Sequence, residues 1–243
     1  MVSTSYIIKG GVTLVGFGPG NPDLLTVAAV KALSAADVIY YDDLIGKDYL
    51  DGLSARKVYV GKRCGAHHAE QNQINGLLLQ SALAGQAVVR LKGGDPMVLA
   101  HAGEEIAFLE EHGVSVHVIP GITTASALAA SAKVSLTYRH LASSVALLNG
   151  HSIRPLTPSA DTLVYYMGAS RLTDIAKALI AEGRPADTPV LLAHNVSLPD
   201  ERIMESSLAQ LVSEGRVFPT PLIVMIGKVA GLRHHKASDL LAG

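Results

Sequence analysis

Short runs of β-branched residues alternate with longer stretches of helical periodicity along most of the chain, and this alternation limits the fold more than any other feature. Strands separated by helices run largely parallel, because each helix carries the chain back to the starting edge of the sheet. Candidate strands fall at 12–15, 38–41, 57–60, 87–91 and 114–119, and again at 145–148, 162–166, 189–193 and 222–226. Between them Leu24, Leu25, Ala28, Ala29, Ala32 and Leu33 repeat at helical spacing, with Asn21 or Asp23 as the N-cap. Ile74, Leu77, Leu78 and Leu83 mark a second helix, Ile106 and Leu109 a third, and residues 172–181 and 207–214 two more.

Pro120-Gly121 interrupts the pattern, and the Ala-, Ser- and Thr-rich stretch at 123–132 reads as a closely packed helix. A boundary there divides the 243 residues into 1–120 and 121–243, each of single-domain size. The expected fold class is therefore α/β, as two α/β domains with a cleft between them, a common place for a ligand.

Composition excludes several classes of function. With 20 Lys+Arg against 21 Asp+Glu, the net charge of −1 provides no chain-wide basic field, so no nucleic acid partner is expected. Cys64 is the only cysteine, which leaves no intrachain disulfide and no cysteine-based zinc cluster. The opening residues lack a basic segment followed by an apolar one, and the apolar stretch near the end is broken by Lys228, so a soluble, cytoplasmic protein without a membrane partner is expected. Among the ten histidines only His67-His68 and His234-His235 are adjacent, and no H-E-x-x-H spacing occurs, so no metal is expected. Ser126, Ser143 and Ser144 lie in no G-x-S-x-G elbow.

Two glycine clusters leave strands in the first half. Gly16-Phe17-Gly18-Pro19-Gly20 invites a dinucleotide-binding reading, with Asp42 near the distance of a ribose carboxylate. Asn21 stands where that fingerprint needs glycine, however, and Pro19 removes a backbone N–H from the loop, so a plain tight turn remains open beside it. In Arg90-Leu91-Lys92-Gly93-Gly94-Asp95-Pro96 the paired glycines allow close approach to the backbone, and Asp95 adds an acceptor. Together the two exits favour a nucleoside-like ligand at the carboxyl edge of a sheet.

These segments, with VIYYDDLI, VGKRCGAHHAEQNQIN, GEE at 103–105, VIPGITTASALAA, SLTYR and TLVYYMG in this order, resemble the uroporphyrinogen-III C-methyltransferases of sirohaem and cobalamin synthesis, members of the tetrapyrrole methylase class. The resemblance runs from about Val12 to Arg233. It implies transfer of methyl groups from S-adenosylmethionine to C2 and C7 of a tetrapyrrole substrate, uroporphyrinogen III, to give precorrin-2. It also implies the cofactor in the interdomain cleft and a homodimer. By position, Pro19, Gly93, Gly94, Asp95, Val98, Thr123, Thr124 and Met167 would line the cofactor site. Asp42 matches the proposed proton acceptor and Lys62 the proposed donor, while Glu104, Arg139 and His151 fall at substrate-facing positions.

The chemistry asks for the same residue types. A methyl sulfonium needs no metal, only a near-attack geometry toward a nucleophilic pyrrole carbon. A proton then has to leave the macrocycle, which calls for a base such as Asp42. The polycarboxylate substrate suits cationic partners such as Lys62, Arg63, Arg139 and His101.

The chain departs from the family pattern mostly on the substrate side. His101 stands in place of an arginine within Leu99-Ala100-His101-Ala102-Gly103-Glu104-Glu105. Tyr138 replaces a histidine, Asn149 a threonine, and Val196 occupies the A-H-N-V-S segment where a glycine is expected nearby. A methylase of a later precorrin or another substrate, a non-catalytic tetrapyrrole or adenosyl-ligand binding protein, and, more distantly, a dinucleotide oxidoreductase are the competing readings.

Overall fold

In the computed structural model, which describes residues 7–43, 45–61, 67–151 and 157–233, the chain divides into two units between Thr123 and Thr124. The first contains β1 (Val12–Gly16), α1 (Val27–Ala35), β2 (Val38–Tyr41), α2 (Lys47–Asp51), β3 (Arg56–Tyr59), α3 (His67–Leu83), β4 (Val88–Lys92), α4 (Ala102–Glu111) and β5 (Val116–Ile119). The second contains α5 (Thr124–Ala132), β6 (Val145–Asn149), β7 (Thr162–Tyr166), α6 (Leu172–Ala181), β8 (Pro189–His194), β9 (Arg202–Ser207), α7 (Leu208–Glu214) and β10 (Leu222–Ile226).

The first sheet has the order β3-β2-β4-β1-β5, and every pairing in it is parallel. Its central strands are apolar on both faces, as a sheet covered on two sides requires. Val15, Ile39, Val89 and Leu91 pack with Ala29 and Leu33 of α1. Val12, Leu14, Val38, Tyr40 and Val88 pack with Leu78 of α3 and Leu109 of α4. Because side chains alternate along a strand, Arg90 and Lys92 share the face of Val88 and point toward α3 and α4.

Helix α1 begins later than its periodicity suggests. Thr26 is the N-cap, its hydroxyl accepting from the Ala29 N–H at 3.1 Å. Asn21 instead caps a single 3₁₀ turn at Pro22–Leu24, accepting from the Asp23 N–H. Leu24 and Leu25 therefore precede the helix rather than open it.

The second sheet, β6-β7-β10-β8-β9, departs from the expected parallel pattern. Only β6 and β7 pair in parallel; β10 runs antiparallel to β7 and β8, and β9 antiparallel to β8. Residues 195–201 are too short to carry a helical crossover, so the strand after them has to return antiparallel. The turn is held by Asn195 Nδ2 donating to Asp200 at 2.7 Å and the Ser197 N–H donating to Glu201 at 2.6 Å. Its core joins Leu163, Val190, Leu192, Val224 and Ile226 to Ile175 and Leu179 of α6 and Leu208 and Leu211 of α7.

Three strand exits of the first unit meet without room for side chains. A Cβ on Gly121 would lie 2.3 Å from the Gly94 carbonyl oxygen, and one on Gly16 would lie 2.5 Å from the Gly121 nitrogen. Gly76, inside α3, has open space around the corresponding position. Gly121→Ala is therefore expected to destabilise the protein by about 1–3 kcal/mol through overpacking. Gly76→Ala is expected to be stabilising by up to about 1 kcal/mol. Thermal melts of both variants check this, and equal midpoints would contradict the close packing of the loops.

Candidate functional site

The packed glycines bring the loops after β1, β4 and β5 to one carboxyl edge. Gly18 and Gly94 exchange backbone hydrogen bonds, Gly94 N–H to Gly18 O at 2.7 Å and Gly18 N–H to Gly94 O at 3.1 Å. The Phe17 N–H donates to Lys92 O at 2.8 Å. Asp95 laces the third loop on: its Oδ2 accepts from the Gly121 N–H at 3.0 Å and its Oδ1 from the Met97 N–H at 2.8 Å. Of the residues anticipated around a nucleoside-like ligand, Pro19, Gly93, Gly94, Asp95, Val98 and Thr123 lie on these three loops and are partly exposed. Asp95 first organises the loops, since each of its oxygens already accepts a main-chain N–H.

Beneath this edge lies a cluster of charges that motif reading missed. The Arg90 side chain is 3% exposed, Lys92 6% and Glu105 0%. Glu105 Oε1 accepts from Lys92 Nζ at 2.9 Å, Gln71 Nε2 at 3.1 Å and Arg90 Nε at 3.3 Å. Arg90 Nη1 donates to Leu91 O at 3.1 Å, and Arg90 Nη2 donates to both oxygens of Asp42, at 2.9 and 2.8 Å. Two cations and two carboxylates thus balance within the first unit. Burial holds the Lys92 ammonium below its ordinary value; the neighbouring Arg90 charge adds to this and Glu105 opposes it. The readable signal was the alternation of β4, which puts two cations on one buried face of a central strand and so demands carboxylates opposite. Glu105 occupies the first turn of α4 and is fully buried.

His101 precedes α4 in the left-handed region, φ 56°, and Leu99 has φ 54°. Its Nδ1 lies 3.1 Å from Glu104 Oε1, and both side chains are more than half exposed. His101 and Glu104, both anticipated on the substrate side, are thus in direct contact with each other.

In the second unit Thr124 opens α5, whose Ala125 N–H donates to the Tyr166 hydroxyl at 3.1 Å. Met167 follows β7 with φ 56° and is 40% exposed. Gly150 packs against Gly168, where a Cβ would lie 2.3 Å from the Gly168 Cα, and so ties the β6 exit to the β7 exit. On that exit Asn149 Oδ1 accepts from the His151 N–H at 2.9 Å, and Arg171 Nη1 donates to His151 O at 3.0 Å. Asn149 thereby shapes the turn that displays His151. Arg139 and Tyr138 lie on a tight turn closed by the Tyr138 and Ala142 backbones, beside an open depression lined by residues 137–143 and Asp161. Val196 is buried, 4% exposed. Lys62 and Arg63 lie outside the described residues, as do His234 and His235. Among the described residues no group of three or more His, Cys, Asp or Glu is placed to hold a metal ion.

A family model described as Tetrapyrrole (Corrin/Porphyrin) Methylases matches residues 11–212. The S-adenosyl-L-methionine-dependent uroporphyrinogen III methyltransferase, chloroplastic, of Arabidopsis thaliana is 44% identical over 239 residues, covering 92% of this chain and 64% of that protein. Siroheme synthase 1 of Yersinia enterocolitica is 38% identical over 239 residues, covering 94% of this chain and 51% of its own length. The chain thus spans about half to two thirds of these two relatives. Among solved structures, uroporphyrin-III C-methyl transferase from Thermus thermophilus complexed with S-adenyl homocysteine is 41% identical with a TM-score of 0.81, over 91% of this chain and 99% of that one. A cobalt precorrin-4 methyltransferase of cobalamin biosynthesis has a TM-score of 0.78 at 26% identity, over 91% of this chain and 96% of that one.

The Arg139 turn rests on an acidic clasp. Asp161 Oδ2 accepts from the backbone N–H and the hydroxyl of both Ser143 and Ser144, at 2.8 to 3.1 Å. These donors, the Ser143 N–H foremost, hold the Asp161 carboxyl down to about 2 from 3.8. A depressed carboxyl contributes stability above its unfolded value, and that contribution is lost as pH falls through the folded value. Asp161→Asn is expected to lower the thermal midpoint at neutral pH, and the gap to the wild type is expected to close between 3.8 and about 2. Melts across that range check it; a gap that does not change with pH would contradict the clasp.

Proposed function

The chain belongs to the tetrapyrrole (corrin/porphyrin) methylase family, and from that premise we propose that it methylates C2 and C7 of uroporphyrinogen III, using S-adenosylmethionine, to give precorrin-2. The observation that carries the reading is the likeness to the Thermus thermophilus uroporphyrin-III C-methyl transferase, which spans nearly all of that chain at 41% identity. The proposed setting is sirohaem or cobalamin synthesis, by a cytoplasmic homodimer. No helix among the described residues is long and apolar enough to cross a membrane.

The loops fit an adenosyl ligand. Gly94 has φ 66°, which glycine adopts without strain, and with no Cβ on either Gly93 or Gly94 a ligand can lie against the backbone. Pro19, Gly93, Gly94, Asp95, Val98 and Thr123 would hold the cofactor, and the resemblance assigns Thr124 and Met167 the same role. When bound, S-adenosylmethionine would supply an electrophilic methyl, its C–S pair staying with sulfur, and a pyrrole carbon that took up the methyl would leave the macrocycle one proton to lose. Asp42 accepts that proton, and Lys62 is the matching donor.

On the substrate side Arg139 would pair with the carboxylate arms, and His151 and His101 could hydrogen-bond to them. Glu104 would repel those arms, but as an acceptor it matches pyrrole N–H groups, and it lies 3.1 Å from His101 Nδ1. The 26% identical cobalt precorrin-4 methyltransferase shares the fold, which makes substrate identity the finer question.

Incubation with uroporphyrinogen III and methyl-labelled S-adenosylmethionine is expected to give a doubly methylated product. Label entering a later precorrin but not uroporphyrinogen III would overturn the substrate assignment. Asp42→Asn is expected to lower kcat per folded molecule by about 10²-fold or more, in the range of general-base removal, and to lower the thermal midpoint as well, because Arg90 stays buried with one carboxylate partner fewer.

The substitution at 101 has a separate consequence. Arginine stays cationic, whereas imidazole is the side chain whose charge changes near neutral pH. The KM for uroporphyrinogen III is expected to be lower in His101→Arg than in the wild type, because a guanidinium keeps its charge and can pair bidentately with a carboxylate. An unchanged KM would remove His101 from the substrate contacts.

A further inference from the structure

Arg90 carries no role in the reading above, yet it is the residue through which the buried charge cluster reaches Asp42. Its Nη2 is 2.9 and 2.8 Å from the two Asp42 oxygens, so it sits on the bisector of the carboxylate. A donor there uses the lone pairs that face each other across the carboxylate, and the outward pair on each oxygen stays open. The exposure follows the same division: Asp42 is 32% exposed and Arg90 3%.

The guanidinium itself cannot turn. Nε is tied to Glu105 at 3.3 Å and Nη1 to the Leu91 carbonyl at 3.1 Å. Glu105 is fixed in turn by Lys92 at 2.9 Å and Gln71 at 3.1 Å. Three acceptors in three directions define the guanidinium plane, which only a planar fork can satisfy; a lysine ammonium would match the charge without the plane.

We infer that Arg90 is a positioning residue for the methyl-transfer reaction, holding the Asp42 carboxylate with its open lone pairs outward to receive the proton that leaves the macrocycle. Glu105, Lys92 and Gln71 brace Arg90. The inference rests on the proposed methyltransferase activity and on Asp42 as its proton acceptor. It places the precision of the base in the sheet interior, on β4 and α4, and leaves the flanking loop free to serve the substrate.

The test is a double-mutant cycle on the full chain with Arg90→Lys and Asp42→Asn, measuring kcat, the KM for S-adenosylmethionine and the thermal midpoint. In Arg90→Lys, kcat is expected to fall about tenfold or more with that KM within about twofold, and in the Asp42→Asn background the same change is expected to cost no more than about twofold. A purely structural arginine would lower the midpoint and leave kcat per folded molecule intact. Full kcat in folded Arg90→Lys, or equal losses in the two backgrounds, would overturn the inference while leaving the wild-type activity and the functional reading in place. A wild type that transfers no methyl group to uroporphyrinogen III would overturn both. If Arg90→Lys shows no cooperative melt, Arg90→Gln/Glu105→Gln, which removes one charge of each sign, replaces it in the same cycle with the same two outcomes.

Discussion

Two cations on the buried face of a central strand have to be met by carboxylates, and much of the first unit is arranged to meet them. Arg90 and Lys92 occupy alternate positions of β4 with side chains 3% and 6% exposed, on a face of the sheet otherwise lined by Val12, Leu14, Val38, Tyr40 and Val88. Removing one partner of such a pair costs about 3–5 kcal/mol, because the remaining charge stays buried. Glu105 on α4 and Asp42 at the end of β2 supply the balance. The strand order β3-β2-β4 makes this possible, since Tyr41 pairs with Leu91 and so carries Asp42 to the level of the charges. Glu105 Oε2 is buried with no hydrogen-bond partner among the described residues, while Oε1 takes three donors.

The second constraint is absence of volume. Gly16 and Gly121 approach each other's backbone and the Gly94 carbonyl so closely that no Cβ fits, and Gly18 and Gly94 exchange main-chain bonds. Three strand exits become one braced edge, with Asp95 as the cross-tie. Rigid main-chain loops above and a rigid carboxylate beside them suit a reaction whose catalysis rests on placing a methyl group opposite a carbon and on receiving a proton. Both features reside on β1, β2, β4 and β5, so the proposed site would inherit the precision of the sheet.

Much of the fold was legible in the sequence because apolar periodicity is a local property. The strands at 38–41, 162–166 and 222–226 and the helix at 172–181 coincide with the observed elements. β9 was missed because R-I-M-E-S-S has a single β-branched residue and no clean alternation; as an edge strand it needs neither. The antiparallel second sheet was missed for the same reason, since without β9 the short turn at 195–201 has nothing to join. The glycine clusters pointed to the carboxyl edge, and there the loops do meet. What local pattern could not supply was pairing at a distance: Arg90 with Asp42 across 48 positions, and Gln71 with Glu105 across 34, are contacts that only the assembled sheet and helices create. Asp95 likewise read as a free acceptor because its partner, the Gly121 N–H, lies on another loop.

The glycine-rich edge of the first sheet is the proposed adenosyl site, with Asp42 held ready by Arg90. A crystal structure of the protein with S-adenosylhomocysteine is the decisive measurement. The ligand is expected against the Gly93-Gly94-Asp95 backbone, with both Asp42 oxygens still on Arg90 Nη2. A ligand bound away from these loops, or an Asp42 side chain turned off Arg90 in the complex, would contradict it.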